Sequence, residues 1–142
     1  MLTVRIILTV VLWGSITNSA IAQVPASLWD GIYSEVQAER GAVAYGARCA
    51  SCHAVDLRGN SNSPSLLGMS FLFLWEGRSV GELYTKMRSE MPSDQPGSLP
   101  PQTYMDILTY ILRANQYPAG MQELVADEQL LNRLLITGKP AR

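Results

Sequence analysis

Hydrophobic positions recur with helical spacing in the second half of the chain. Side chains at i, i+3, i+4, i+7 and i+8 predict one amphipathic helix there, and they are Tyr104, Ile107, Leu108, Ile111 and Leu112. Pro101 suits the first turn of this helix, which we expect to end near Asn115, before Pro118 and Gly120. No stretch shows strands that alternate with helices, so the pattern indicates an all-α protein.

Two further segments favour helices, and one favours a loop. Ser79-Val80-Gly81-Glu82 matches a capping box and opens a helix to about Glu90, which Pro92 ends. Residues 54–65 are rich in turn residues and predict a loop. The leucines between positions 130 and 135 indicate a short helix near the end of the chain.

The segment from Trp29 to about Ala50 also has a helix-favouring composition. Gly41, Tyr45 and Cys49 are four positions apart, so they would share one helix face. Glycine costs about 1 kcal/mol against alanine inside a helix. Gly41 is therefore expected either where a second helix crosses closely or at an ordinary helix break.

The first 22 residues have the features of a signal peptide. Arg5 gives a positive start, Ile6 to Trp13 is apolar, and Ala20-Ile21-Ala22 resembles a cleavage site. Cleavage would leave a mature chain of residues 23–142, the size of one domain, in the periplasm. The alternative is an uncleaved anchor helix, for which the apolar run is short.

The charge balance gives no indication of nucleic-acid binding. The net charge is −1, and loss of Arg5 would leave 10 basic against 12 acidic residues, a net charge of −2. Lys86 and Lys139 are the chain's two lysines, and no basic run or basic–aromatic pattern is present.

The sequence Cys49-Ala50-Ser51-Cys52-His53 has the Cys-x-x-Cys-His spacing at which c-type haem is attached. Residues three apart on a helix share a face, so both thiols can form thioethers to the same porphyrin. His53 is the chain's one histidine, and it follows closely enough to reach the iron as proximal ligand.

Two cysteines and a histidine at this spacing could also belong to a zinc site, a redox pair or a disulfide. A structural zinc site needs four Cys or His ligands, and the chain has two cysteines and one histidine in all. A thioredoxin-like redox pair needs a strand–helix–strand context. A local disulfide between Cys49 and Cys52 stays open.

Methionine is the common partner of histidine on the iron of cytochromes c. After Met1, the chain offers Met69, Met87, Met91, Met105 and Met121. Met87 and Met105 fall in predicted helices, where methionine commonly fills the core. Met91 lies between a helix and a rigid loop, directly before Pro92, and we predict it as the distal ligand.

The chain resembles the class I, or monohaem, c-type cytochromes from about Glu39 to Gly120. The resemblance rests on the Cys-x-x-Cys-His motif and on the spacing of Gly41 and Tyr45 before it. It implies the cytochrome c fold, about four to five helices around one covalent haem c and its iron. It also divides the mature chain into a core of about 39–120 and a C-terminal extension, 121–142.

Further residues match the family's patterns and imply site roles. Ile107 and Tyr110 resemble the pair of the C-terminal helix that crosses the N-terminal helix at Gly41. Pro64-Ser65-Leu66 resembles a Pro-x-Leu segment, which implies that the Pro64 carbonyl accepts the proximal imidazole N–H and that Leu66 packs on the haem. The resemblance also supports Met91-Pro92 as the distal segment.

The apolar run from Leu66 to Trp75 is the richest source of groups to pack against the macrocycle, although half or more of its side chains suit an ordinary core equally well. Leu66 and Trp75 are the residues of this run that we predict at the cofactor. Trp75-Glu76-Gly77 and Pro96-Gly97-Ser98-Leu99 are similar to segments of small bacterial cytochromes c that accompany periplasmic dehydrogenases.

The resemblance implies a periplasmic one-electron carrier or electron-transfer subunit with His/Met ligation. Its redox partner would be a periplasmic dehydrogenase such as a quinoprotein, a terminal oxidase or another cytochrome. Because the one histidine is used as a ligand, no histidine-based triad can form, and no catalytic residue is expected. The alternative is a haem-based sensor or haem enzyme with an open distal site.

Overall fold

The regular elements of the structure, a computed structural model that describes residues 25 and 27–141, are helical. A 3-10 turn, Leu28–Asp30, precedes six helices: α1 Glu35–Arg48, α2 Ala50–His53, α3 Gly68–Trp75, α4 Val80–Glu90, α5 Pro101–Ala114 and α6 Glu128–Arg133. The described part of the chain contains two isolated β-bridges and no strand, so the expected all-α fold is confirmed. The predicted signal peptide, 1–22, lies outside the described residues.

The first long helix begins later than its composition predicted. Gly31 adopts a left-handed conformation, with φ of 72°, and this ends the preceding 3-10 turn. Ser34 then caps α1, because its hydroxyl accepts a hydrogen bond from the Gln37 amide. The far end also differs from the expectation, since Cys49 leaves helical geometry at φ of −124° and separates α1 from α2. The cysteine motif therefore spans a helix junction and does not lie on one continuous helix.

The predicted close crossing of the first long helix and α5 is confirmed. A Cβ atom built on Gly41 would lie 1.8 Å from the Asp106 carbonyl oxygen and 2.9 Å from the Tyr110 Cβ. One turn later, the rings of Tyr45 and Tyr110 pack with centroids 5.3 Å apart. Gly41 thus meets the backbone at Asp106, the neighbour of the expected contact Ile107.

An ion-pair network holds this crossing at its edge. The Arg40 guanidinium donates to the carboxylates of Asp106, at 3.0 and 3.1 Å, and Glu123, at 2.7 and 2.9 Å. The hydrogen bonds to Glu123 and then to Asp106 raise the pKa of Arg40 above its ordinary value. One arginine on α1 therefore ties that helix both to α5 and to the C-terminal segment.

The buried core continues beyond the expected range of 39–120. The segment after residue 120 buries four apolar side chains, Leu124, Leu131, Leu134 and Ile136. The Gln37 side chain also donates to the Leu124 carbonyl at 2.9 Å and accepts from the Leu124 amide at 2.8 Å. Near α4, the Val80 amide donates to the Leu134 carbonyl at 2.8 Å. The expected extension is thus an integral part of the packed domain as far as it is described.

The apolar run before position 76 forms α3, which has two different faces. Phe71 and Trp75, one turn apart, are buried, whereas Met69 and Phe73 are exposed. About half of the run therefore faces the protein interior, because a helix at the surface buries one face and leaves the other exposed. Within the described residues, no helix has both the length and the apolar composition needed to cross a membrane.

The crossing predicts opposite effects for two glycines of α1. Gly41→Ala should lower stability by about 1–3 kcal/mol, because the added carbon overlaps the α5 backbone. This corresponds to a fall of several degrees in the melting temperature. Gly46 has open space around the position of a Cβ, so Gly46→Ala should raise stability by up to about 1 kcal/mol through helix propensity.

Thermal unfolding of the holoprotein and both variants checks this prediction. Equal melting temperatures for Gly41→Ala and Gly46→Ala would contradict the close approach of the two backbones.

Candidate functional site

A cavity of about 600 Å³ lies where the cysteine motif, the 54–65 loop, α3, α4 and α5 meet. All seven residues that the sequence predicted at a cofactor line this one cavity, although they are spread over more than forty positions: Cys49, Cys52, His53, Pro64, Leu66, Trp75 and Met91. The structure thus brings the complete predicted set together.

One tight turn places the cysteine motif at the cavity wall. After the break at Cys49, the amides of Cys52 and His53 both donate to the Cys49 carbonyl, at 3.1 and 2.9 Å. The Tyr45 hydroxyl donates to the carbonyl of Ala54 at 2.7 Å, directly after the motif. Cys49 is partly buried and Cys52 is exposed. The motif therefore lies at one edge of the cavity, where it meets the protein surface.

The two thiols do not have the properties of a redox pair. Both cysteines are free, so the disulfide that the sequence left open is not formed. Burial raises the pKa of the Cys49 thiol to about 11, whereas reactive dithiols have a lowered pKa. Within the described residues, no three His, Cys, Asp or Glu side chains are grouped as a metal site requires. The geometry gives no support to the redox and zinc alternatives.

The loop that follows the motif orients the His53 ring. Its Nδ1 lies 3.0 Å from the Pro64 carbonyl oxygen, which is the contact that the resemblance implied. Because a carbonyl can only accept, Nδ1 must carry the proton in this hydrogen bond. The neutral imidazole then has its free lone pair on Nε2, which is available to a metal. The loop itself is closed by the Gly59 amide, which donates to the His53 carbonyl at 2.9 Å.

The structure narrows the five candidate methionines to two. Met87 and Met91 line the cavity. Met69 is 80% exposed and Met121 is 97% exposed, while Met105 is fully buried outside the cavity lining. Met91 follows α4 with extended backbone, at φ of −123° and ψ of 150°, whereas Met87 lies within the helix. The position of Met91 at a helix end thus agrees with the sequence-based interpretation.

The rest of the lining has the chemistry of a pocket for a large apolar group. Its apolar side chains come from α1, α3, α4 and α5 and include Phe71, Leu83, Ile107 and Ile111 in addition to the predicted residues. The cavity volume falls within the range of about 300–1,000 Å³ that is typical of ligand sites. The sequence placed Ile107 and Ile111 on the apolar face of a helix and did not identify them as site residues, because their helical spacing is the same whether a helix faces side chains or a cofactor.

Three cations at the cavity were not predicted as site residues. The Arg78 guanidinium carbon lies 4.5 Å from the centroid of the Trp75 ring, and its Nε donates to Glu82 at 3.0 Å. Lys86 pairs with Glu90, and the Arg48 side chain reaches the Gln95 amide oxygen at 3.2 Å. Such groups can bind the carboxylates of a cofactor whose body is apolar. No short motif marks them, because they come together from α1, α4 and the turn that precedes α4.

Taken together, these residues fit a haem attached through cysteine. Two thiols, one oriented imidazole and a thioether face one cavity with apolar walls, and basic side chains lie at its border. Two cysteines that can form thioether bonds to the porphyrin and a histidine that can bind the iron are the groups that hold c-type haem, and a methionine can supply a further axial bond. The residues that line the cavity are therefore compatible with covalently attached haem.

Comparison with known proteins agrees with this interpretation. The family described as cytochrome C oxidase, cbb3-type, subunit III matches residues 36–111, which is more than half of the chain. The match runs from the start of α1 to Ile111 in α5 and so contains the cavity-forming elements. No curated protein matches the chain.

The fold is similar to a solved structure of the sulfane dehydrogenase SoxCD from Paracoccus pantotrophus. The TM-score is 0.50 and the sequence identity is 18%, with 70% of this chain covered. The chain spans about half, 52%, of the SoxCD chain that it matches. At this identity the similarity concerns the fold alone, and it supports the cytochrome c fold.

The family match, the fold and the donor set at the cavity agree with one another. The chain belongs to the c-type cytochromes, in the family described as cytochrome C oxidase, cbb3-type, subunit III, and it is a monohaem cytochrome that carries covalently bound haem c with its iron.

Proposed function

We propose that the chain is a periplasmic one-electron carrier or electron-transfer subunit. In this proposal, Cys49 and Cys52 would attach the haem, and His53 and Met91 would ligate its iron. The observation that supports it best is the convergence of all four residues on one cavity.

Attachment uses the two thiols at the cavity edge. Cys49 and Cys52 would hold the haem through thioether bonds. The turn after Cys49 keeps the two sulfurs within reach of one macrocycle.

The axial residues and the cavity walls set the properties of the site. When bound, haem c supplies a couple between ferrous and ferric iron. His53 donates to the Pro64 carbonyl, which fixes the ring plane and increases the basicity of Nε2. The soft Met91 thioether favours the reduced state and raises the potential. Leu66 and Trp75, which line the cavity, would exclude water from the bound cofactor.

The border of the cavity supports a route for electrons near Cys52. Cys52 is exposed, and Leu74, which also lines the cavity, is 43% exposed. One edge of the macrocycle would thus lie close to a partner protein. We assign no catalytic residue, because the reaction needs transfer of an electron and no group that abstracts a proton.

The partner we propose is a periplasmic dehydrogenase, such as a quinoprotein, or else a terminal oxidase or another cytochrome. The matched family is named for an oxidase subunit, and the similar fold was solved in a dehydrogenase. The N-terminal segment 1–22, read as a signal peptide, supports export. Co-purification from a periplasmic extract, followed by identification of the captured redox enzyme, tests this assignment.

Covalent attachment through both cysteines can be tested by mass. Expression with c-type haem maturation should yield a polypeptide heavier by one haem, and the haem should stay with the acid-denatured chain. The double variant Cys49→Ala/Cys52→Ala should release any haem on denaturation, because no thioether can form. A wild-type protein with the bare polypeptide mass would contradict the prediction.

Distal ligation by Met91 can be separated from ligation by Met87, the other methionine at the cavity. Met91→Ala should abolish the weak long-wavelength band of ferric Met-ligated haem and open the sixth position to cyanide. The reduction potential should fall by a sizeable part of the range of about 0.8 V that axial ligands span.

Met87→Leu is the matched control and should keep the band and the potential close to wild type. The opposite result, with the band lost in Met87→Leu alone, would transfer the ligand role to Met87. A wild-type protein that is high-spin and takes up cyanide rapidly would favour the sensor or enzyme alternative.

Weak dependence of electron transfer on salt is a further expectation. Two of the three cations at the cavity are paired with carboxylates, Arg78 with Glu82 and Lys86 with Glu90, whereas Arg48 donates to the neutral amide of Gln95. Among these three, the charge of Arg48 is the one left to steer a partner. Electrostatic steering raises association rates by about tenfold or more, and salt removes this gain. Stopped-flow rates of electron transfer with the co-purified partner should therefore fall less than about tenfold as ionic strength rises. A decrease of about a hundredfold or more would contradict this view.

A further inference from the structure

The hydroxyl of Tyr104 links the two ends of the loop that follows α4. It donates to the Met91 carbonyl oxygen at 2.6 Å, and it lies 3.5 Å from the Leu99 amide, which donates to it. The Tyr104 residue is 2% exposed and belongs to the first turn of α5. A buried side chain on a rigid helix thus contacts both the first residue of the loop and a residue near its end.

The contact supplies a hydrogen-bond donor to the Met91 carbonyl, which has no partner within α4. Met91 is the C-terminal cap of α4: its amide still donates to the Met87 carbonyl at 3.0 Å, but its own carbonyl lies past the helix. A carbonyl at a helix end needs a partner outside the helix. The loop itself is closed by short local bonds, such as that from the Gln95 amide to the Pro92 carbonyl at 2.9 Å. The Tyr104 hydroxyl therefore connects the backbone of Met91 to α5.

We propose that Tyr104 is a positioning residue for the distal ligand, because its hydroxyl holds the Met91 backbone and so fixes where the Met91 thioether points. This proposal rests on the proposed role of Met91 as axial ligand. Tyr104 does not line the cavity, and its effect passes through the Met91 carbonyl. The expected consequence is a lower rate of opening at the sixth position.

The substitution Tyr104→Phe isolates the hydroxyl. It keeps the buried ring on α5 but leaves the Met91 carbonyl without this donor. In the oxidised holoprotein, cyanide enters when the methionine leaves the iron, so its uptake rate reports how often that bond opens. Loss of one hydrogen bond of ordinary net strength corresponds to a factor of about five to ten. Cyanide uptake should therefore accelerate about five- to tenfold in Tyr104→Phe, and its long-wavelength band should weaken.

Tyr33→Phe is the matched control. The Tyr33 hydroxyl also donates to a backbone carbonyl at 2.6 Å, that of Tyr117, and Tyr33 is likewise fully buried. Neither Tyr33 nor Tyr117 lines the cavity. The control should lose a similar amount of thermal stability and keep the cyanide uptake rate of the wild type. Each rate is measured at the same number of degrees below the melting temperature of that variant. A difference in overall stability then does not contribute to the difference in rate.

The results separate the positioning role from the ligand role. If Met91→Ala accelerates uptake and Tyr104→Phe leaves it within twofold of wild type, the positioning role is overturned and the ligand role stands. Equal acceleration in Tyr33→Phe and Tyr104→Phe also overturns it. If Met91→Ala leaves the uptake rate unchanged, the ligand role fails and the positioning role with it. If Tyr104→Phe gives too little folded protein for kinetics, the second measurement is its reduction potential. This potential should fall below that of Tyr33→Phe.

Discussion

The absence of a side chain at Gly41 is the constraint on which the rest of the structure depends. The α5 backbone at Asp106 occupies the space that a Cβ on Gly41 would need. The backbones of α1 and α5 can therefore pack directly against each other at this point. That approach brings Tyr45 to the cavity wall, where its hydroxyl holds the Ala54 carbonyl just after the cysteine motif. It also directs Ile107 into the lining of the same cavity. One packing contact therefore places the attachment motif and part of the apolar wall together.

The two proposed axial ligands are each oriented through a backbone carbonyl. On one side the His53 ring donates to the Pro64 carbonyl, and on the other the Tyr104 hydroxyl donates to the Met91 carbonyl. His53 ends the short helix α2 and Met91 follows the end of α4, and a position at a helix end does not by itself fix a metal ligand to within the tolerance that coordination requires. The two hydrogen bonds hold each ligand further, one to the following loop and one to α5. The fold in this way combines a close helix crossing with two hydrogen-bonded segments that line the cavity.

Local signals in the sequence were sufficient for several elements. The capping box at Ser79 and the apolar spacing of α5 predicted both helices to within a residue, because caps and periodicity act over a few positions. The attachment motif identified the cofactor for the same reason. The core contacts of Leu124 escaped prediction, since they depend on Gln37, a partner distant in sequence. The break at Cys49 also escaped prediction, because the composition of the segment favours a helix on both sides of it. The positioning contact of Tyr104 was also hidden, because a buried helix residue looks the same whether its hydroxyl serves packing or a ligand.

X-ray absorption at the iron edge tests the central claim most directly, because it reports the ligand atoms without a partner protein or an exogenous ligand. Measurement on the holoprotein in both oxidation states should show six-coordinate iron with one axial nitrogen and one axial sulfur. The same ligand set should persist on reduction, as expected for a carrier whose ligands are held by the protein. Five-coordinate iron in either state, or a sixth ligand that is oxygen or nitrogen, would contradict His53 and Met91 as the axial pair.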